Sequence, residues 1–336
     1  MSAPGARRAP RDPDRPRQVR DPDAPRPPRR PTAADGVVVV DKPQGWTSHD
    51  VVARMRGIAG TRKVGHGGTL DPMATGVLVV GIGRATRLLT YVSGADKDYD
   101  ATVRLGVTTT TEDAEGDVLT VRDASGVDRA QVEAAALPLT GDVLQVPSAV
   151  SALKVDGQRA YARVRAGETV ELAARPVTVA RLDVVDVRTA QVEAPDGSTV
   201  AVLDVDVAVT CSSGTYVRAI ARDLGDALGV GGHLTALRRT RVGGYTLGAA
   251  RTLDDLSAGP ADEPVTVLPL AEAARAALPA RELSEPEARA LSYGQAIGAG
   301  PGDDGPTAAI GPDGSLVAVV ALRGTGVRPL VVFAPA

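Results

Sequence analysis

The segment Gly65-His66-Gly67-Gly68-Thr69-Leu70-Asp71-Pro72-Met73-Ala74-Thr75-Gly76-Val77-Leu78 holds the residues of this 336-residue chain best placed to do chemistry. Three glycines in four positions allow a sharp backbone turn or the close approach of a ligand. Pro72 biases Asp71 toward an extended conformation, and Leu70 and Met73 give its carboxylate apolar neighbours. A carboxylate held there is a candidate catalytic group. An aspartate that caps the turn before Pro72 is the simpler local account.

Other site types are missing. The chain has no phosphate-binding Walker loop, no G-x-S-x-G and no H-E-x-x-H. Gly81-Ile82-Gly83 begins like a dinucleotide fingerprint but lacks the third glycine, and no acidic partner follows at the right distance. His49, His66 and His233 lie far apart, and the single Cys211 excludes an internal disulfide or a cysteine-based zinc site. Neither a metal nor a nucleotide cofactor is expected. One cysteine, no apolar run near the roughly 18 residues that cross a membrane, and no apolar leader make a reducing cytoplasmic setting the default.

The elements that must position Asp71 show in the patterning. Val37-Val38-Val39-Val40 is a short buried strand, β-branched throughout. Thr47-Ser48-His49-Asp50 has the form of a capping box. It opens a helix with Val51, Val52, Met55, Ile58 and Ala59 on one face, stopped by Gly60. Residues 77–80, 99–105 and 177–187 read as strands, and Leu203, Val205, Val207 and Val209 alternate as in a half-exposed strand. Residues 215–228 form an amphipathic helix through Val217, Ile220, Leu224 and Leu228, and 257–264 read as a surface loop. Strands and helices mix without a βαβ rhythm, so the fold class is α+β with a largely antiparallel sheet.

Nine Arg and nine Pro among residues 1–35, with almost no large apolar side chain, predict a disordered tail with folded chain from Gly36. The tail is net positive, so the rest of the chain is more acidic than the total of −3. Charge alone is therefore a weak argument for a nucleic-acid partner. From about residue 278 the pattern changes to short β segments at 308–310, 316–321 and 330–333, separated by Gly/Pro turns. These outline a small C-terminal β-domain over 278–336.

Five stretches in order, "GVVVVDKPQGWTSHDVV", "KVGHGGTLDPMATGVLVVGIGRATRL", "KDYDATVRLG", "PSAVSALKVDGQRAYARVRAG" and "CSSGTYVRAIARDLG…GGHLTALRRTRVG", resemble signature stretches of the bacterial tRNA pseudouridine-55 synthases. Together they cover most of 36–244, and no single glycine loop approaches that specificity. Gly67 stands where many relatives have Thr or Ala, which implies a more flexible loop.

The resemblance implies a pseudouridine synthase fold with a mixed, largely antiparallel central sheet flanked by helices. It implies a catalytic domain over 36–277, with an insertion near 145–175 that clasps the tRNA arm, and a small PUA-like domain after it. Asp71 takes the place of the family's essential acid. A carboxylate suits the reaction because uracil must leave C1′ of the ribose, rotate and return bonded through C5. The carboxylate stabilises developing positive charge at C1′ or adds to it covalently, as in retaining glycosidases; attack at C6 or proton abstraction at C2′ are rival routes.

Tyr99 matches the tyrosine that stacks on the flipped base, and Arg218 the arginine that pairs with the acid; Arg222, one turn on, is its competitor. His66 matches the histidine that enters the T-loop. Lys42, in Asp41-Lys42-Pro43-Gln44-Gly45, belongs to a motif beside the cleft and has a supporting role. Lys154, Arg159 and Tyr216 complete the implied RNA contacts. Reactant and product are isomers, so no cofactor is implied. The expectation is a cytoplasmic monomer, without an obligate protein partner, acting on the T-arm of tRNA at position 55.

Three rivals remain. An RNA-guided synthase would need partner proteins and a guide. A non-catalytic tRNA-binding module would not need the carboxylate. An enzyme acting on carbohydrate would need a second acid.

Overall fold

The computed structural model describes residues 30–148, 154–155, 158–159, 172–300 and 304–334. The chain enters through strand β1 (Gly36–Lys42) and helix α1 (Ser48–Ile58), followed by β2 (Val64–His66), β3 (Thr75–Ile82) and the short helix α2 (Leu89–Gly94). Next come β4 (Lys97–Leu105), the hairpin of β5 (Val107–Thr109) with β6 (Val118–Val121), α3 (Arg129–Ala136) and β7 (Gly141–Gln145). A small hairpin pairs β8 (Lys154–Val155) with β9 (Gln158–Arg159), before the long β10 (Arg175–Glu193) and β11 (Thr199–Cys211). Helix α4 (Val217–Ala227), β12 (Gly232–Val242), β13 (Tyr245–Thr246), α5 (Leu253–Ala258), β14 (Leu268–Pro269) and α6 (Leu270–Ala277) complete the larger body.

Its sheet runs β14-β1-β3-β12-β4-β11-β10-β7, with β2 beside β3 and β13 beside β12. Every pair is antiparallel except β3 with β12, so the sheet is mixed, as the sequence predicts. That parallel pair puts β3, which follows the Asp71 loop, beside β12.

The alternation read from the sequence has its expected consequence. Tyr99, Ala101, Val103 and Leu105 of β4 and Val205, Val207 and Val209 of β11 pack in one core with Ile220 and Leu224 of α4. Leu70 and Met73 belong to the same core, so the residues flanking Asp71 are anchored by burial. A Leu or Met side chain so buried contributes roughly 1.5–3 kcal/mol. The capping box forms: the Thr47 hydroxyl accepts from the Asp50 amide at 3.0 Å, and Gly60 ends the helix region at φ +62°.

The folded chain starts earlier than Gly36. Arg30 donates to the carbonyls of Leu256 and Ser257, the Ala33 amide donates to Ala59, and Asp35 pairs with Arg84. The composition of the tail concealed this because one buried alanine and one arginine on helix-end carbonyls leave no hydrophobic signal. The stretch 257–264 is likewise not all loop, since Thr252 and Asp255 cap α5, which runs to Ala258.

A second sheet, β15 (Ala280–Glu282), β17 (Thr307–Ile310), β18 (Leu316–Arg323), β19 (Gly326–Val332) and β16 (Ile297–Gly298) in that order, carries helix α7 (Glu285–Ser292). Ile310, Leu316 and Phe333 pack with Val37, Val39 and Val77 of the large body.

Gly76 fixes the join of β3 to β12. It has φ +99°, and a Cβ there would lie 2.2 Å from the Arg239 carbonyl oxygen. Gly76→Ala should therefore destabilise the fold by about 1–3 kcal/mol or more, read as a lower urea midpoint. An unchanged midpoint would contradict this packing.

Candidate active site

Asp71 follows β2 and precedes β3 in a loop held from three sides. From α1, the Ser48 hydroxyl accepts from the Leu70 amide at 2.9 Å and lies 3.2 Å from the Leu70 carbonyl. From β1, the ammonium of Lys42 donates to the carbonyls of Pro43, Trp46 and Pro72 at 3.0, 2.7 and 3.2 Å. From β12, Arg239 donates to the carbonyls of Val77, Thr69 and Gly68 at 2.8, 3.3 and 3.2 Å. Buried backbone carbonyls need such partners, and here the partners also fix where Asp71 points.

The acid itself meets Arg218 of α4. The Arg218 Nε lies 3.0 Å from one Asp71 carboxylate oxygen. The arginine side chain is only 6% exposed while that of Asp71 is 36% exposed, so the cation is built into the protein and the carboxylate faces an opening. Arg218 also lies 3.6 Å from the buried Asp113 and donates to the Thr111 carbonyl and the Ser148 hydroxyl. Two carboxylates and these oxygens leave the guanidinium little freedom to turn. Arg222 is occupied elsewhere, with Glu112, Asp223 and the Val146 carbonyl. Of the two arginines, Arg218 reaches Asp71.

Asp71 and Arg218 line a cavity of about 280 Å³ with Tyr99, Tyr216, Lys97, Leu237 and Arg239. That is near the lower end of small-ligand sites, roughly 300–1,000 Å³, and suits one nucleoside. Tyr99 is buried, and burial pushes its phenol above the ordinary range, so it stays protonated; Arg239 lines the cavity with it. Tyr216 is set by Gln145, whose side chain accepts from its amide at 2.8 Å and donates to its carbonyl at 3.1 Å.

The other expected residues lie differently. Lys42 is fully buried with its ammonium spent on three carbonyls, so it braces the loop and is not presented to RNA. Burial pushes it down to about 8. His66 is half-buried at the end of β2, edge-on to His49 with ring centroids 5.4 Å apart. Burial and the neighbouring His49 hold it below the usual imidazole range. Gly67 does not loosen the loop: its amide donates to the Val79 carbonyl, and a Cβ there would lie 2.7 Å from Val92. Lys154 and Arg159 pair across the β8–β9 hairpin, but their side chains and most of the expected clasping insertion lie outside the described residues. Sequence reasoning missed Arg239, Asp113 and Lys97. The first and last stand inside recognised motifs, and what sets them apart is burial.

A protein of Arthrobacter sp. (strain FB24) called tRNA pseudouridine synthase B is 60% identical over 308 residues, covering 89% of this chain and 97% of its own length. The chain belongs to the TruB family of pseudouridylate synthases. The model of the TruB family N-terminal domain matches residues 56–217, that of the tRNA pseudouridylate synthase B C-terminal domain 218–270, and that of tRNA pseudouridine synthase II, C terminal, 278–334. A namesake from Thermobifida fusca (strain YX) is 59% identical, covering 90% of this chain and 99% of its own. Among solved structures, a Cbf5-Nop10-Gar1 complex contains a chain similar at TM-score 0.66 and 27% identity, over 89% of this chain and 85% of that one. As a TruB-family pseudouridylate synthase the protein is an isomerase.

The two arginines of α4 make the site testable. Arg218→Lys loses the Nε contact, and a charge-assisted hydrogen bond is worth roughly 1.5–3 kcal/mol, so turnover should fall about 10- to 100-fold. Arg222→Lys should stay within about threefold. Equal losses in the steady-state rates would refute the assignment.

Proposed function

We propose that the protein isomerises the uridine at position 55, in the T-loop of tRNA, to pseudouridine, with Asp71 as the catalytic carboxylate. The observation that carries this reading is the 3.0 Å pair of Asp71 with buried Arg218, in the wall of a nucleoside-sized cavity that also contains Tyr99. The substrate is supported by the curated relatives at 53–60% identity, all called tRNA pseudouridine synthase B.

The target nucleotide must leave its stack to enter this cavity. Unstacking costs a few kcal/mol, and stacking on an aromatic such as Tyr99 returns about 1–3 kcal/mol per base. In this reading His66, half-buried at the end of β2, meets the T-loop beside the flipped nucleotide. Once the base is seated, the N1–C1′ bond breaks and its electron pair stays on uracil. The carboxylate of Asp71 answers the positive charge at C1′ by field or by a covalent bond. Uracil then turns and bonds C1′ through C5, the C5 proton leaves, and N1 takes up a proton. One bond replaces another within a single molecule, so the reaction consumes no cofactor.

Arg218 supplies the preorganisation: a carboxylate already oriented need not be reoriented as charge develops. The protein acts on the T-arm as a cytoplasmic monomer in this reading. The guided-enzyme alternative has weaker support, because similarity to Cbf5-containing complexes is 25–27% identity. No described helix is long and apolar enough to cross a membrane.

Mapping the product tests the substrate assignment. An unmodified tRNA transcript incubated with the protein should gain one pseudouridine, at position 55, located by chemical labelling and mass spectrometry. A transcript with cytidine at that position should gain none. Product at another uridine, or no product, would overturn the proposal.

A further inference from the structure

Lys97 is a buried cation in the wall of the catalytic cavity, and none of the contacts it makes is to a carboxylate. Its side chain lies at the start of β4, two residues before Tyr99, and the residue is 7% exposed. Its ammonium donates to the carbonyls of Ser93 and Ala95 at 3.0 and 2.6 Å, at the end of α2. Those bonds use two of its three protons. No ion pair joins Lys97 to any acid among the described residues; Arg239, another cation, lines the same cavity. Gly68, at φ +96°, lies against both: a Cβ there would be 3.8 Å from Lys97 Cε and 3.7 Å from Arg239 Nη1.

Burying an ammonium is expensive, and burial with the neighbouring Arg239 pushes Lys97 down to about 8 against the weaker pull of Asp96, so it is still charged at neutral pH. A residue that only closed the end of α2 would not need to stand in the cavity wall. The third proton, in a site built to receive uracil, has an obvious class of acceptor: a ring carbonyl oxygen, which is neutral in the substrate and gains charge when uracil departs.

We propose that Lys97 donates a hydrogen bond to a carbonyl oxygen of the flipped uracil and stabilises the negative charge that oxygen gains as the N1–C1′ bond breaks. The electron pair of that bond moves onto N1 and spreads to O2 and O4, while C1′ becomes positive opposite Asp71. When C5 bonds C1′ the charge on the ring is discharged, and loss of the C5 proton with gain of a proton at N1 completes the isomer. The two halves of the cavity thus carry opposite charge to opposite fragments: carboxylate toward the sugar, ammonium toward the base. This inference rests on the uridine-isomerase reading above.

The test exchanges sulfur, a weaker acceptor, for one uracil oxygen at a time. T-arm RNAs carrying uridine, 2-thiouridine or 4-thiouridine at the target position are compared in single-turnover reactions with wild type, Lys97→Met and Lys97→Gln. Wild type should slow by roughly tenfold for one of the two thio substrates. Lys97→Met should be about 10- to 100-fold slower on uridine and should no longer distinguish that thio substrate from uridine. Lys97→Gln retains a donor for the α2 carbonyls, so it controls for loss of folding and should lose the same discrimination. Wild-type indifference to both sulfur substitutions would overturn the proposal. So would a thio effect of unchanged size in both variants. Weaker binding of all three RNAs, with a salt slope reduced by about one, would make Lys97 a phosphate contact and overturn it as well. Failure of wild type on the uridine RNA would instead strike the functional reading itself.

Discussion

The structure depends on one ion pair, between a buried guanidinium and a half-open carboxylate. Arg218 is enclosed by Thr111, Ser148 and Asp113 as well as by Asp71, so its position belongs to the fold and not to the solvent. Removing one partner of a fully buried pair typically costs about 3–5 kcal/mol, and here the exposure of Asp71 and the second acid, Asp113, lower that cost. That constraint explains why α4 must pack against β12 and β4 while the loop before β3 must be pinned by α1, β1 and β12. Each element holds one end of the pair or the backbone that carries it.

The loop is rigid for the same reason. Its three flanking donors, Ser48, Lys42 and Arg239, are buried polar groups that would be liabilities without acceptors, and each finds them on backbone carbonyls of the loop or beside it. Two of the three are cations. Asp71 is the one acid in the cavity lining, beside the cations Lys97, Arg218 and Arg239. A site of this kind holds its charge in place before the substrate arrives, which is the arrangement that lowers a barrier most.

Much of the fold was legible in the sequence, for identifiable reasons. The Thr47–Asp50 capping box, the alternation along β11 and the amphipathic face of α4 are local signals whose physics does not depend on distant chain. The short helices α3, α6 and α7 were not read, because eight residues are about two turns and give a helical pattern too few repeats to stand out. Docking of residues 30–35 was hidden because it rests on the Arg30 side chain, the Asp35–Arg84 ion pair and one backbone hydrogen bond, with Ala33 its one buried apolar residue. At the site, Asp71, Tyr99 and Arg218 followed from ordered motifs, and local chemistry alone favoured a turn-forming aspartate. Lys42, read as a supporting residue of a motif beside the cleft, braces the loop through three carbonyls, and nothing in Asp-Lys-Pro-x-Gly says that its ammonium points inward. Arg239 and Lys97 look like any other basic residues until burial removes their solvent.

The central claim is that the carboxylate of Asp71 carries out the chemistry. Release of tritium from RNA labelled at C5 of the target uridine measures that chemistry directly, since the C5 hydrogen is lost only when C5 has bonded C1′. Wild type should release tritium in proportion to product, while Asp71→Asn, isosteric but uncharged, should bind the same tRNA and release none. Tritium release by Asp71→Asn at a rate near that of wild type would contradict the account.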